Sequence, residues 1–368
     1  MTVTNDTTIR ATLLFLAGMA LIALLYLTRD LLAPFAFAIF TWLIIDAFAR
    51  WMDNLSSKFP YWLALTIAVL VVVGLMIGFI FVIGDTVSQI YDELNQDEAS
   101  RYETRLSEIF SWVSNVTGQE NASFSSLDEK FGIMQKIIGG LGEFGSTIKN
   151  IVSDFFLISL YVVFLFAAQS SFPKKMDDLF PNVDRRAQAS KVGTRIRLSI
   201  EKYLSVQTII SLMQTVVSYI GMTALGLDNA LFWALVIFVL NYIPIVGGLA
   251  AVALPVLFAM VQFDSLGQVA VLAAVLFGAQ FVIGNTIQPK MMGDSMNLSA
   301  LVVILALSVW SALWGGIGAF LSAPLTVIIM IVLAQFPTTH WIAVLLSADG
   351  NPDMDGDGKP DSDTIASM

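Results

Sequence analysis

LFWALVIFVLNYIPIVGGLAAVALPVLFAMV, residues 231–261, runs for 31 residues without a charge. A straight α-helix needs only ~20 residues to cross a hydrocarbon core. The stretch is broken in its middle by Asn241-Tyr242-Ile243-Pro244-Ile245-Val246-Gly247-Gly248. Proline and glycine free backbone groups that hydrocarbon cannot satisfy, so such a break is tolerated where protein or a water-filled cavity covers it. Two readings stay open: a kinked helix or two short helices joined by a turn, and a re-entrant or discontinuous element at a transport path. The same choice arises at 298–336, whose 39 residues are interrupted by Trp314-Gly315-Gly316-Ile317-Gly318 and then Pro324.

Outward from these two stretches lie further apolar runs near 11–28, 31–49, 61–84, 151–170, 203–226 and 266–287, which makes about eight transmembrane segments. The first is flanked by one basic residue, Arg10, lacks a small-residue cleavage pattern, and reads as a retained span. Apolar residues make up 57% of the chain and charged ones 13%, against roughly a quarter charged in soluble domains. A soluble enzyme and a receptor with one anchor are excluded, and Gly-punctuated alternating segments are too few for a membrane barrel. The fold class is all-α: a polytopic helical membrane protein with two broken or re-entrant elements.

Charge divides the rest of the chain. Residues 1–84 form an N-terminal three-span unit. Residues 85–149 carry eleven acidic and five basic residues, whereas 171–202 carry eight basic and four acidic ones. The basic segment should face the cytoplasm. Counting spans from there puts 85–149 outside and both termini inside, in a bacterial or archaeal cytoplasmic membrane. The outer segment repeats apolar residues at helical spacing, as amphipathic helices do. Residues 150–348 form a transport core that includes the basic helix 171–202, with one long helix expected from Asp184, its N-cap, to Gly226. Residues 349–368 hold six Asp and one Lys and read as a solvated tail. In that tail Asp353, Asp355 and Asp357 match the early positions of a calcium loop, but Thr364 stands where the bidentate Glu belongs, so this is a weak metal candidate.

Several chemistries lack their groups. There is no cysteine, and His340 is the one histidine; no HExxH or GxSxG pattern appears, so no catalytic residue is assigned and the chain is not read as an enzyme. The Gly-rich run 139–147 lacks the lysine of a phosphate loop. A net charge of −10 argues against nucleic acid as a partner, and no cofactor is expected. Gly74 and Gly78 form a GxxxG pair that can bring two helices or two subunits together.

What remains distinctive is a set of neutral amides on the later spans: Gln207, Gln214, Asn241, Gln280, Asn285 and Gln288. Each reads either as glue between helices or as lining of a wet path for a neutral, hydroxyl-rich solute. Pro244, Gly247, Gly248 and Pro289 belong to the same candidate pathway because they open the backbone. Asp154, Lys290 and Asp294 are candidates for ion or proton coupling, although none stands at a span centre. Asp46 lies four residues before Arg50, and that pairing accounts for it without a function.

The later half resembles the autoinducer-2 exporter family. Gly226-Leu227-Asp228-Asn229-Ala230 leading to Asn241–Gly248, then Asn285-Thr286-Ile287-Gln288-Pro289-Lys290-Met291-Met292-Gly293, then Leu313–Gly318 with Ala323-Pro324-Leu325, follow that family's three motifs in order. Gln207, after Tyr203-Leu204, also falls where the family has a Gln. Two departures are Ser299-Ala300, where the family commonly has His-Pro, and the acidic tail. The resemblance implies export of a small polar metabolite such as autoinducer-2, proton coupling or sodium/proton antiport in some members, an eight-span unit with re-entrant elements, and a homo-oligomer, a pentamer being one size. Partners are then a small solute, membrane lipid and copies of the chain. A non-transporting assembly or structural protein is the remaining alternative.

Overall fold

The computed structural model describes residues 3–55, 61–95, 154–292 and 297–352. Its regular elements are helices: α1 Val3–Leu27, α2 Arg29–Leu55, α3 Tyr61–Asn95, α4 Asp154–Gln169, α5 Phe172–Leu179 and α6 Val183–Ala224. After these come α7 Ala230–Leu240, α8 Val246–Gln262, α9 Leu266–Val282, a π-turn Ile283–Ile287, α10 Gln288–Met292, α11 Ala300–Ala334 and α12 His340–Leu346. Among the described residues the extended pairing is a single bridge between Leu298 and Ser347. The expected helices of 85–149 beyond Asn95 and the tail beyond Pro352 lie outside the described residues.

Five described helices are long and apolar enough to cross a membrane, or six if α4 and α5, bent by 68°, count as one. The number expected was about eight. The difference lies in two stretches: 11–28, where the apolar helix runs only over Phe15–Leu27, and 231–261, which forms two helices of 11 and 17 residues, about 16 and 26 Å long and so shorter than a ~30 Å core.

Both interrupted stretches fold back on themselves. The rings of Trp233 and Phe258 lie 5.3 Å apart, whereas 25 residues of straight helix would separate them by about 37 Å. The first hairpin is therefore α7 and α8 packed antiparallel around a core that includes Ile237, Ala251 and Val252. Gln262 closes its base, donating to the Gly226 carbonyl and accepting from the Asp228 amide, both at 2.9 Å. In α11, Trp310 Nε1 reaches Thr326 Oγ1 at 3.3 Å, although 16 residues of helix would hold them about 24 Å apart. The fold-back occurs at Gly315, whose φ of 61° and ψ of −137° suit a residue without a Cβ. At 298–336, too, the kinked-span alternative gives way to a hairpin.

The tip of the first hairpin is a turn from Asn241 to Ile245, and Val246, Gly247 and Gly248 already belong to α8. Ile245 has φ 63° and ψ −62°, and the Val246 amide donates to the Pro244 carbonyl at 2.6 Å. This is a strained γ-turn on a β-branched residue, costing about 1–3 kcal/mol. Gly247 makes it possible: a Cβ there would overlap the Leu240 carbonyl oxygen.

Helix α6 is the spine on which both hairpins register. Its cap is Asn182 rather than Asp184: the Asn182 side chain accepts from the amides of Asp184 and Arg185 at 2.9 and 3.2 Å, because the side chain one residue outside the helix reaches its orphan donors. Near that end Arg195 donates to the Pro352 carbonyl at 2.8 Å, beside the base of the second hairpin. Ile200, Tyr203 and Leu204 pack on Leu321 and Ala323, just past its tip. Thr208 meets Tyr242 at the first hairpin's tip, and Met222 packs at that hairpin's core. The hairpins thus approach from opposite ends of α6 and meet near Gln207.

Alanines allow the remaining close packing. Ala38 and Ala49 of α2 and Ala64 and Ala68 of α3 are fully buried in one seam with Ile158 and Val162 of α4, the small-residue contact that membrane helices favour. Gly74 and Gly78 play no such part within the chain: both are exposed, and an added Cβ would meet nothing within 4 Å.

Candidate functional site where the hairpin tips meet

The site grows from Gln207, buried on α6. Its Nε2 donates to the Asn241 carbonyl at 2.7 Å, an oxygen that the broken helix leaves without a helical partner. Its Oε1 accepts from Gln288 Nε2 at 3.4 Å. Gln288 follows directly on the π-turn Ile283–Ile287, a distortion that recurs at functional sites. Three amides from α6, a hairpin tip and α10 are thereby joined.

At the next residue of each element, Thr208 Oγ1 and Tyr242 Oη share a hydrogen bond at 2.7 Å. The Tyr242 ring stacks on Phe320 of the second hairpin, centroids 4.7 Å apart and planes within 17°. The two tips touch through these rings.

Gln280 enters from α9. A Cβ on Gly248 would overlap its Nε2 and stand 3.6 Å from Asn241 Oδ1. The glycine therefore leaves room for two amides side by side. Asn241 Nδ2 and Gln280 Oε1 are buried and without a hydrogen-bond partner. Among the described residues, Ser211 Oγ, Gln214 Oε1 and Trp233 Nε1 share that condition. A buried polar atom without a partner costs roughly 1–3 kcal/mol, and such atoms are rare enough that each calls for an explanation.

The other candidates fall elsewhere. Gln214 is buried two turns further along α6 and donates to Ser218 Oγ at 3.2 Å. Asn285 is exposed and bonds its own helix through the Phe281 carbonyl at 3.1 Å. Pro244 is half-buried in the turn, while Pro289 and Lys290 are exposed on α10. Asp154 begins α4 half-buried. Asp294, the third coupling candidate, lies outside the described residues, as do Asp353, Asp355 and Asp357 of the calcium reading. No group of three His, Cys, Asp or Glu suited to a metal ion occurs among the described residues.

Asp46, 1% exposed, does pair with Arg50, at 3.4 Å. It also binds Arg197, and Glu201 joins both arginines at 2.6 and 2.7 Å. Two acids and two bases therefore tie α2 to α6 as a neutral group; Arg197 and Glu201, on another helix, gave no sign of this in the sequence. Sequence reasoning also missed Thr208, Phe320, Ser211 and Ser218 as site residues. The signal available was the 4-3-4 spacing of Gln207, Ser211, Gln214 and Ser218, which sets polar groups on one face of a membrane helix.

The comparisons agree with the architecture. The chain matches the model of the AI-2E family transporter over residues 13–338. It is 29% identical to a "Putative transport protein" of Haemophilus influenzae over 351 residues, covering 93% of this chain and 97% of the relative. To the "AI-2 transport protein TqsA" of Escherichia coli it is 27% identical over 340 residues, 91% and 95% of the two chains. To a "Sodium-lithium/proton antiporter" of Halobacillus andaensis it is 25% identical over 343 residues, 87% and 93% of the two chains. With its apolar helices, its two hairpins and a family match over most of its length, this multi-pass membrane protein belongs to the AI-2E transporter family.

Proposed function

We propose that the chain is a secondary transporter exporting a small, neutral, hydroxyl-bearing metabolite, autoinducer-2-like in chemistry, through the junction of the hairpin tips. The observation that carries this reading is the pair of amides beside Gly248, each with one unpartnered atom: a donor, Asn241 Nδ2, and an acceptor, Gln280 Oε1. A hydroxyl group can satisfy either one. Broken helices at mid-membrane are the usual setting for solute sites in secondary transporters. Proton coupling and sodium/proton antiport both need a titrating group in the path. The buried charged side chain among the described residues, Asp46, is already held by Arg50 and Arg197, which favours the neutral solute.

Flux into proteoliposomes tests the reading. Dihydroxy-pentanedione should move faster than into empty vesicles, and sodium should not. Sodium flux alone supports antiport, and flux of neither favours an assembly role. A homo-oligomer is part of the proposal, with the open Gly74–Gly78 face of α3 as its contact, and the mass of the same purified sample checks it.

The proposed orientation keeps 171–202 and both termini cytoplasmic and 85–149 outside. A cysteine placed by Ser123→Cys in this cysteine-free chain should react with an impermeant maleimide on intact cells. Reaction only after lysis reverses the orientation.

A further inference from the structure

Ser211, Gln214 and Ser218 lie on the buried face of α6 that begins with Gln207 and ends at Met222, and all three are fully buried. Helix seams in lipid favour small residues, serine among them, and a polar side chain there ordinarily bonds across to another helix. Gln214 Nε2 donates to Ser218 Oγ at 3.2 Å, which leaves Gln214 Oε1 turned away from Ser218, with no partner. Ser211 Oγ, one turn from Gln207, has none either. As interhelical glue these groups fail, because glue must bond another helix. What the seam presents instead is a hydroxyl that both donates and accepts, beside a carbonyl that accepts.

The contacts of α6 with α9 and α10 set the level of this seam. Gln288 meets Gln207, and a Cβ on Gly221 would stand 2.8 Å from Val275 Cγ1. Ser211 and Gln214 therefore lie between the amide junction and a closed contact, around which Met222, Leu272 and Leu276 are fully buried. The polar groups end where the apolar core of the first hairpin begins.

We infer that Ser211, Gln214 and Ser218 form a second station for a neutral, hydroxyl-bearing small molecule, on a track leading from the amide junction along α6 toward the base of the first hairpin. The Gly221–Val275 contact and the apolar layer around it close that track in the structure. The absence of a charged side chain among the three station residues sets the ligand class: a polyol or hydroxy-ketone exchanges hydrogen bonds with them, whereas an ion would lack a counter-charge there. This inference rests on the transport reading for its direction, but not for its chemistry.

Cysteine accessibility tests it in the full-length protein in proteoliposomes, since the chain has no cysteine of its own. Ser211→Cys and Ser218→Cys change little in size, and Ala259→Cys provides an equally buried control inside the first hairpin. A hydrophilic methanethiosulfonate should modify the first two and spare the control. Dihydroxy-pentanedione or erythritol should slow that modification by about three- to tenfold, the range expected for one or two hydrogen bonds. No modification at either serine position, equal modification of the control, or no slowing by either solute overturns the station. Flux of dihydroxy-pentanedione is measured on the unsubstituted protein in parallel. Slowing without flux leaves the station and removes the transport reading; flux without modification does the reverse.

Discussion

Gly248→Leu is expected to abolish solute flux while the chain stays folded and membrane-inserted. The physical reason is the neighbour that a side chain would meet. At Gly248 it is the end of a flexible side chain, Gln280 Nε2, with Asn241 Oδ1 just beyond. The Gln280 amide can swing aside, so the fold survives, but the space between the two amides fills with carbon. Gly248→Ala should show the same effect in weaker form, lowering flux about tenfold, as loss of one well-placed hydrogen bond does. Gly247 differs, although the sequence gives the two glycines the same standing and the same expected variant. A Cβ at Gly247 would overlap the Leu240 carbonyl oxygen and stand 2.8 Å from Ile243 Cβ, and the backbone at the end of α7 cannot swing aside as a side chain can. Gly247→Leu should cost assembly before it costs transport, with a destabilisation of about 1–3 kcal/mol or more. Flux and thermal unfolding in detergent, measured on the same two preparations, check both. Full transport by Gly248→Leu, or an unaltered unfolding temperature for Gly247→Leu, would contradict the geometry.

Asn241→Leu and Gln207→Leu should part in the same way. The Asn241 side chain leaves its Nδ2 without a partner in the chain. Its replacement removes no intrachain bond from that atom and so should weaken transport at least about tenfold with little change in unfolding temperature. Gln207 instead ties α6 to the hairpin tip through the Asn241 carbonyl at 2.7 Å. Its replacement leaves that oxygen buried and unbonded, and the fold should lose roughly 1–3 kcal/mol. Gln288→Met breaks a longer bond, 3.4 Å, and should affect flux more than stability. If all three variants lower the unfolding temperature and leave solute affinity unchanged, the amides are glue and the proposed site is wrong.

Much of this was legible before any fold was known. Apolar runs reveal spans because lipid leaves a backbone no partner other than itself, so the length and the breaks of a run carry most of the information. The Asn241–Gly248 break announced itself through proline and paired glycines, and Gln207, Asn241 and Gln288 stood out as amides in apolar surroundings. Legibility failed where a group's role depends on a partner far along the chain. Asn285 looked equivalent to Gln288 but is exposed, because it lies inside the π-turn Ile283–Ile287, which breaks the α-helical register before Gln288. Asp46 showed its local partner, Arg50, but not Arg197, which comes 151 residues later. Asp184 looked like a cap, and Asn182 does the capping.

By itself the sequence determined that this is a helical, multi-pass membrane protein with two interrupted apolar stretches and a family resemblance in its later half, because hydrophobicity, helix length and backbone breaks are local properties. Only the tertiary structure decided that both stretches are hairpins, that they approach from opposite ends of α6, and that Tyr242 of one tip rests on Phe320 of the other. Those facts depend on how chain segments far apart in sequence pack. A break can state that the helix must bend, but the angle and the neighbour at the bend are set by the helices around it.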